Sequence, residues 1–215
     1  MSMQINVPAL PNANFNTTLS ELSSLMDTQP TQVLAYTPWP KQYPYKPNVR
    51  FAIAYGSDCL FLKYYVEEKD IVAANGQPNT PVYKDACVEF FISLDDAQGY
   101  YNFEINCIGT VLAGFGKGKP KRELLPIQFV RQIRTQSIIT RNTANNNVAW
   151  EITVAIPFIS FCYSQPTPLK GKIAKANFYK CGDLLPQSHY VSWSNIEAPD
   201  PNFHLPNFFG ELHFV

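Results

Sequence analysis

Tyr101, Phe103, Ile105 and Cys107 alternate along the chain with Asn102, Glu104 and Asn106. Side chains two apart share one face of a strand, so this stretch predicts a β-strand with one apolar face and one lined by amides and a carboxylate. It reads as the second arm of a hairpin whose arms are residues 86–94 and 99–108, joined by Asp95-Asp96-Ala97-Gln98-Gly99. The glycine supplies the backbone freedom that a tight turn needs. An earlier hairpin is predicted over residues 49–55 and 59–66, two apolar and aromatic runs split by Gly56-Ser57-Asp58. Further strands are expected at 129–133, 136–139, 148–156, 173–179, 190–193 and 210–214.

Helical spacing occurs once, where Leu19, Leu22, Leu25 and Met26 predict a short helix over residues 17–26, capped at Asn16 or Thr17 and packing as a lid. Four prolines between Thr37 and Asn48 forbid a helix there and predict an extended loop carrying Trp39, Tyr43 and Tyr45. The glycine-rich, basic stretch 109–126 is expected to be a mobile loop. Many short strands, turn-rich spacing and one weak helix predict an all-β fold. It is an antiparallel β-sandwich of jelly-roll or immunoglobulin-like type with a short N-terminal helix. Residues 1–47 are expected to form an N-terminal extension packed on a sandwich domain of residues 48–215.

Composition narrows the function classes. Seventeen Lys plus Arg balance seventeen Asp plus Glu, so the cationic field that general nucleic-acid binding requires is missing. With 46% apolar residues the chain can bury a full core, and charged residues reach only 16% against 14% aromatics. No run of about 18 apolar residues is present to span a bilayer, and the first residues lack the pattern of a signal peptide. A cytoplasmic protein is expected as supplied, or an extracytoplasmic one if a leader was removed; it is expected to be a monomer or weak dimer with no membrane partner. The five cysteines, at 59, 87, 107, 162 and 181, follow no CxxC spacing and are expected to be free, mostly buried thiols.

Chemistry-bearing motifs are few. His189, His204 and His213 form no HxH or HExxH pair, so no metal is expected from them. No cofactor is predicted; calcium, which accepts carboxylates without strict spacing, is the one ion considered, with Asp95, Asp96 and Asp183 as weak candidates. No serine occupies a GxSxG elbow. Glu89 and Glu104, on the two arms of one hairpin, offer an acid and base pair of the kind a glycosidase or lyase uses. The richest signal is aromatic: Tyr83, Trp193, Phe203 and His204 stand near turns, beside the polar strand face of Asn102, Glu104 and Asn106. Flat rings stack on the C–H faces of sugars while amides and carboxylates bond the hydroxyls.

Three segments carry a resemblance: Leu60-Phe61-Leu62-Lys63-Tyr64-Tyr65-Val66, Tyr83-Lys84-Asp85-Ala86-Cys87-Val88-Glu89-Phe90-Phe91-Ile92, and Tyr100-Tyr101-Asn102-Phe103-Glu104-Ile105-Asn106. Trp150-Glu151-Ile152, Ile156-Pro157 and the closing run from Pro201 to Leu212 extend it from about residue 48 to the end. The series resembles carbohydrate-binding module family 9-like domains of the DOMON-like sandwich type. That resemblance implies a non-catalytic sugar binder in which a mono- or oligosaccharide lies between two aromatic side chains with polar groups beneath. It implies that Tyr83, six residues before Glu89, stands where the family has a Trp, and that Phe203 or His204 supplies the second ring. Trp193 lies close enough to share that work or to pack. The family's basic residue on the strand after the hairpin has no match here, because Asn102 and Glu104 occupy that region. The ligand-binding set expected is therefore Tyr83, Glu89, Asn102, Glu104, Trp193, Phe203 and His204. The alternatives are a carbohydrate-active enzyme using Glu89 and Glu104, or an interaction module with a decayed sugar site.

Overall fold

The computed structural model describes residues 3–95, 99–120, 122–141, 147–164 and 168–215. The turn at Asp96, Ala97 and Gln98 lies outside the described residues, as does the Asp95 side chain. In chain order the strands are β1 (Gln4–Val7), β2 (Gln32–Val33), β3 (Asn48–Tyr55), β4 (Cys59–Glu68), β5 (Cys87–Asp95), β6 (Gly99–Asn106) and β7 (Val111–Gly116). They continue with β8 (Glu123–Leu124), β9 (Arg134–Arg141), β10 (Val148–Pro157), β11 (Ile173–Cys181), β12 (Tyr190–Ser192) and β13 (Gly210–Phe214). The helices are α1 (Leu19–Asp27) and α2 (Ile127–Val130).

Two sheets face each other. The larger runs β1-β13-β11-β5-β6-β7-β8 with β12 beside β11, and the smaller runs β2-β3-β4-β10-β9. Pairing is antiparallel except between β1 and β13. Alternation explains how one strand serves two layers. Val88, Phe90, Ile92, Phe103, Ile105 and Phe178 point between the sheets, where they meet Phe51, Tyr64, Ile152 and Val154. Their neighbours Cys87, Phe91, Tyr100, Tyr179 and Cys181 point outward, into a second apolar cluster under the loops that carry Trp39 and Phe203. On the far side, Leu22 and Met26 of α1 cover Ala52, Ala54 and Phe61 of the smaller sheet.

Both predicted hairpins form, β3 with β4 and β5 with β6. The helix is present, starting two residues later and ending one later than expected. Its cap is Thr18, whose hydroxyl accepts from the Glu21 amide, and it covers the outer face of the smaller sheet. Two expectations need correction. Within the supposed mobile loop, residues 111–116 form β7, hydrogen-bonded along β6; Val111 and Ala113 face the core, a strand pattern obscured by Gly114 and Gly116. The strand predicted at 129–133 is instead α2 and the turn after it, with the Arg131 amide donating to the Ile127 carbonyl at 3.0 Å. A short apolar run carries no period with which to tell the two apart. All five cysteines are free, four of them buried. Among the described residues no helix is long and apolar enough to cross a membrane.

One polar cluster is fully enclosed. Lys180 Nζ lies 2.8 Å from Glu68 Oε2 and 2.8 Å from His189 Nε2, and Trp150 Nε1 donates to Glu68 Oε1 at 2.6 Å. His189 Nδ1 lies 2.8 Å from the Gln187 carbonyl, so both ring nitrogens have partners. Burial, then the adjacent Lys180 charge, pushes the His189 imidazole down to about 3.

Candidate functional site

The outward face of the larger sheet is built in rows. Tyr179, Glu89, Glu104 and Leu112 stand side by side across β11, β5, β6 and β7; Asn177, Phe91, Asn102 and Gly114 form the next row. Cys181, Cys87 and Asn106 form the row on the other side. The register sets Glu89 and Glu104 directly opposite each other on one face, closing the span that separates them in sequence.

Asn102 and Glu104 lie one above the other on β6, and the Asn102 amide donates to Glu104 Oε1 at 2.8 Å. Arg122, arriving from the segment before β8, donates from Nε to Asn102 Oδ1 at 3.0 Å and from Nη2 to the Tyr100 carbonyl at 3.1 Å. Its guanidinium carbon sits 4.3 Å from the centre of the Tyr100 ring. Gly114 makes room for this arrangement, since a Cβ there would stand 2.8 Å from Asn102 Oδ1. Glu104 Oε2 is buried and has no hydrogen-bond partner among the described residues.

Electrostatics follow from that enclosure. Burial raises the Glu104 carboxyl to about 7, against the opposing pull of the Asn102 amide and the Arg122 charge. Glu89 is held well above the usual carboxylate range by burial, by the Cys181 thiol and by Glu104. Asp183, in the turn after β11, is raised by burial and held back by a hydrogen bond from Tyr190 and by Lys119. Three carboxyls thus act on one another here, with Arg122 and Lys119 as the opposing charges on Glu104 and Lys119 and Lys84 on Asp183.

Two half-buried rings border this row. Tyr83 lies on a single helical turn, residues Val82–Lys84, whose end is anchored by Asp85. The Asp85 carboxylate accepts from the Ala74 and Asn75 amides and from the Asn106 side chain, and the Tyr83 carbonyl accepts from the Asp183 amide. Burial, then Glu104 and Asp183, raises the Tyr83 phenol. His204 lies against the neighbouring row, its Nδ1 hydrogen-bonded with Tyr100 Oη at 3.0 Å and its ring centre 4.9 Å from that of Phe91. Burial and the charges of Arg122 and Lys119 push this imidazole down to about 3. Beyond Tyr100 the same face opens into a cavity of about 440 Å³ lined by Ser93, Tyr100, Lys117 and Phe209 among others.

Two of the expected site residues present no open ring face. Trp193 has 0% of its surface exposed and lies edge-on to Phe51 and Phe178 between the sheets, so no face of it is open to a ligand. Phe203 is 6% exposed, with its ring stacked on Tyr179 at 4.2 Å and tilted against Trp39 at 6.0 Å. It packs beneath the surface, whereas its neighbour His204 reaches it. Arg122 was not among the expected residues, and Asp183 was expected only as a weak calcium candidate. Arg122 sits in the stretch read as a loop, and no spacing ties it to Asn102. Of the weak calcium candidates, Asp96 and the Asp95 side chain lie outside the described residues, and Asp183 accepts a hydrogen bond from Tyr190. A different donor set comes together among the described residues: one ligating atom each from Cys87, Glu89 and Cys181 falls within 4.8 Å of the others.

The family model for carbohydrate-binding family 9 matches residues 20–214. A solved structure from Bacteroides uniformis, for which carbohydrate binding has been suggested, is 33% identical over 100% of both chains with a TM-score of 0.90. A family 9 module from Caldicellulosiruptor kristjanssonii in complex with glucose is 13% identical, covering 99% of this chain and 96% of that one, TM-score 0.62. The same organism's module with cellotriose is 14% identical, covering 99% and 93%, TM-score 0.61. No curated protein matches the chain.

Proposed function

The chain belongs to carbohydrate-binding family 9, and from that membership we propose that it is a non-catalytic carbohydrate-binding protein that holds a mono- or oligosaccharide over the outer face of the larger sheet. In this reading Tyr83 and His204 flank the sugar. Glu104, Asn102 and Arg122 bond its hydroxyls, with Glu89 in the layer beneath and Phe203 backing the wall. Trp193 takes no part.

The observation that carries the reading is Glu104 Oε2, a buried acceptor without a partner among the described residues. Leaving such an atom unpaired costs about 1–3 kcal/mol. A sugar hydroxyl supplies the missing donor, and Arg122 and Asn102 already hold the other oxygen's neighbourhood in place. Stacking worth roughly 0.5–1.5 kcal/mol per ring, with net gains of about 1 kcal/mol per hydrogen bond, must exceed the cost of association. Micromolar to millimolar affinity is the expected range.

Calorimetric titration with glucose, cellotriose and a panel of other mono- and oligosaccharides tests the reading. Binding of at least one sugar, abolished in Glu104→Ala with the fold retained, is the expected result. Blank titrations across the panel would overturn it.

The enzymatic alternative draws on Glu89 and Glu104, adjacent carboxyls that both hold protons more tightly than usual. Glycosidases place their two carboxyls on either side of the scissile bond. Here both rise from one floor, which favours hydroxyl recognition over bond cleavage. Release of new reducing ends from any saccharide in the panel would restore the catalytic reading.

A further inference from the structure

We propose that Cys87, Cys181 and Glu89 form a binding site for one thiophilic divalent cation, of which zinc is the type, beneath the outer face of the larger sheet. Strand register creates the set. Cys181 on β11 is the direct cross-strand partner of Cys87 on β5, and Glu89, two residues along β5, shares the same face. Residues 94 positions apart in the chain are thereby brought together.

The three donors are already close to a coordinating arrangement. Their ligating atoms lie within 4.8 Å of one another, and the Cys181 thiol donates to Glu89 Oε1 at 3.0 Å. Ligands bonded tetrahedrally to zinc at about 2.0–2.3 Å stand roughly 3.5–3.8 Å apart, so small side-chain rotations bring the set to bonding distance. All three side chains are buried, and Phe91, Tyr179 and Val82 belong to the apolar cluster around them. Water competes weakly in such a place, and the two sulfurs have no use in recognising sugar hydroxyls.

Donor chemistry chooses the ion. Two sulfurs and one carboxylate oxygen suit zinc and its soft relatives, whereas calcium requires six to eight oxygens. In the metal-free protein the thiols keep their protons, since burial pushes Cys87 up to about 12 and Cys181 well above the usual thiol range. A cation displaces those protons to solvent as it binds. Three protein donors leave a fourth position for water or a ligand oxygen, as in zinc sites that remain open. This inference stands on the strand register and does not rest on the sugar reading.

Cobalt(II) and zinc added to the reduced full-length protein supply the test. Cobalt is expected to give a thiolate-to-cobalt charge-transfer band saturating at one ion per chain, and zinc to remove that band by displacement. Cys181→Ser is expected to abolish the band. Glu89→Gln is expected to weaken cobalt binding by at least the roughly 10- to 100-fold that loss of an outer-shell partner alone produces. Cys162→Ser, which alters the half-exposed thiol elsewhere in the chain, is expected to leave the band unchanged. Circular dichroism of each variant separates ligand loss from unfolding, and Cys87→Ser serves if Cys181→Ser does not fold. A missing thiolate band, or one that survives in Cys87→Ser and Cys181→Ser, overturns the proposal. So does finding that the two thiols couple to a disulfide before metal is added.

Discussion

Arg122 and Asn102 meet at a single oxygen. The guanidinium donates to Asn102 Oδ1 from Nε at 3.0 Å and again from Nη2. The amide end of the same side chain passes the contact on to Glu104 at 2.8 Å. A cation from the segment before β8 is thereby linked through Asn102 to the central carboxylate of the polar face.

Arg122→Ala is therefore expected to weaken sugar binding by about 10- to 100-fold, the range for losing a hydrogen bond to a charged group. Arg122→Lys keeps the charge but not the fork of parallel donors, and it is expected to recover only part of the loss. Calorimetric titration of both variants with whichever panel sugar binds the wild-type protein checks this. Equal affinities in all three would remove Arg122 from the site.

Tyr83 and Phe203 should separate function from folding. Tyr83 is half-buried on a surface turn, so Tyr83→Ala is expected to lower sugar affinity about tenfold or more while changing stability by no more than about 1 kcal/mol. Phe203 is enclosed between Tyr179 and Trp39, and Phe203→Ala is expected to cost about 3–5 kcal/mol of stability. Urea denaturation read beside the binding titrations distinguishes the two outcomes.

The Glu68–Lys180 pair offers a sharper stability test because both side chains are fully buried. Glu68→Gln leaves a buried ammonium without its counter-charge and is expected to destabilise the fold by about 3–5 kcal/mol. Replacing both partners, as Glu68→Gln with Lys180→Met, is expected to restore a large part of that loss. A double-mutant cycle by chemical denaturation measures the coupling, and additive losses would show that the pair acts separately.

His189 makes the same cluster sensitive to acid. Lys180 lies against its Nε2, Glu68 lies 3.6 Å away and Tyr45 is edge-on to the ring. The folded imidazole titrates at about 3, whereas an unfolded one titrates near 6.5. As pH falls below about 6.5 the unfolded chain takes up a proton that the folded chain refuses, and stability is lost until pH reaches about 3. Relative to His189→Gln, which keeps an acceptor for Lys180, wild-type stability is expected to fall by roughly 1.4 kcal/mol per pH unit across that window. Parallel stability curves for the two proteins would show that the folded imidazole takes up the proton after all.

The alternation of Tyr101, Phe103 and Ile105 with Asn102, Glu104 and Asn106 was enough, read as sequence, to give a strand, its inward and outward faces and the carboxylate between two amides. Hairpins closed by Gly56-Ser57-Asp58 were legible for the same reason: turn chemistry and two-residue periodicity are local properties of the chain. What sequence could not fix was adjacency across strands. Nothing local sets Cys181 opposite Cys87, brings Arg122 to Asn102, or sends the Trp193 ring inward while His204 stays at the surface. Those placements are settled by the order in which β11, β5, β6 and β7 lie side by side. That order minimises exposed apolar surface over the whole fold, and no short segment contains the information.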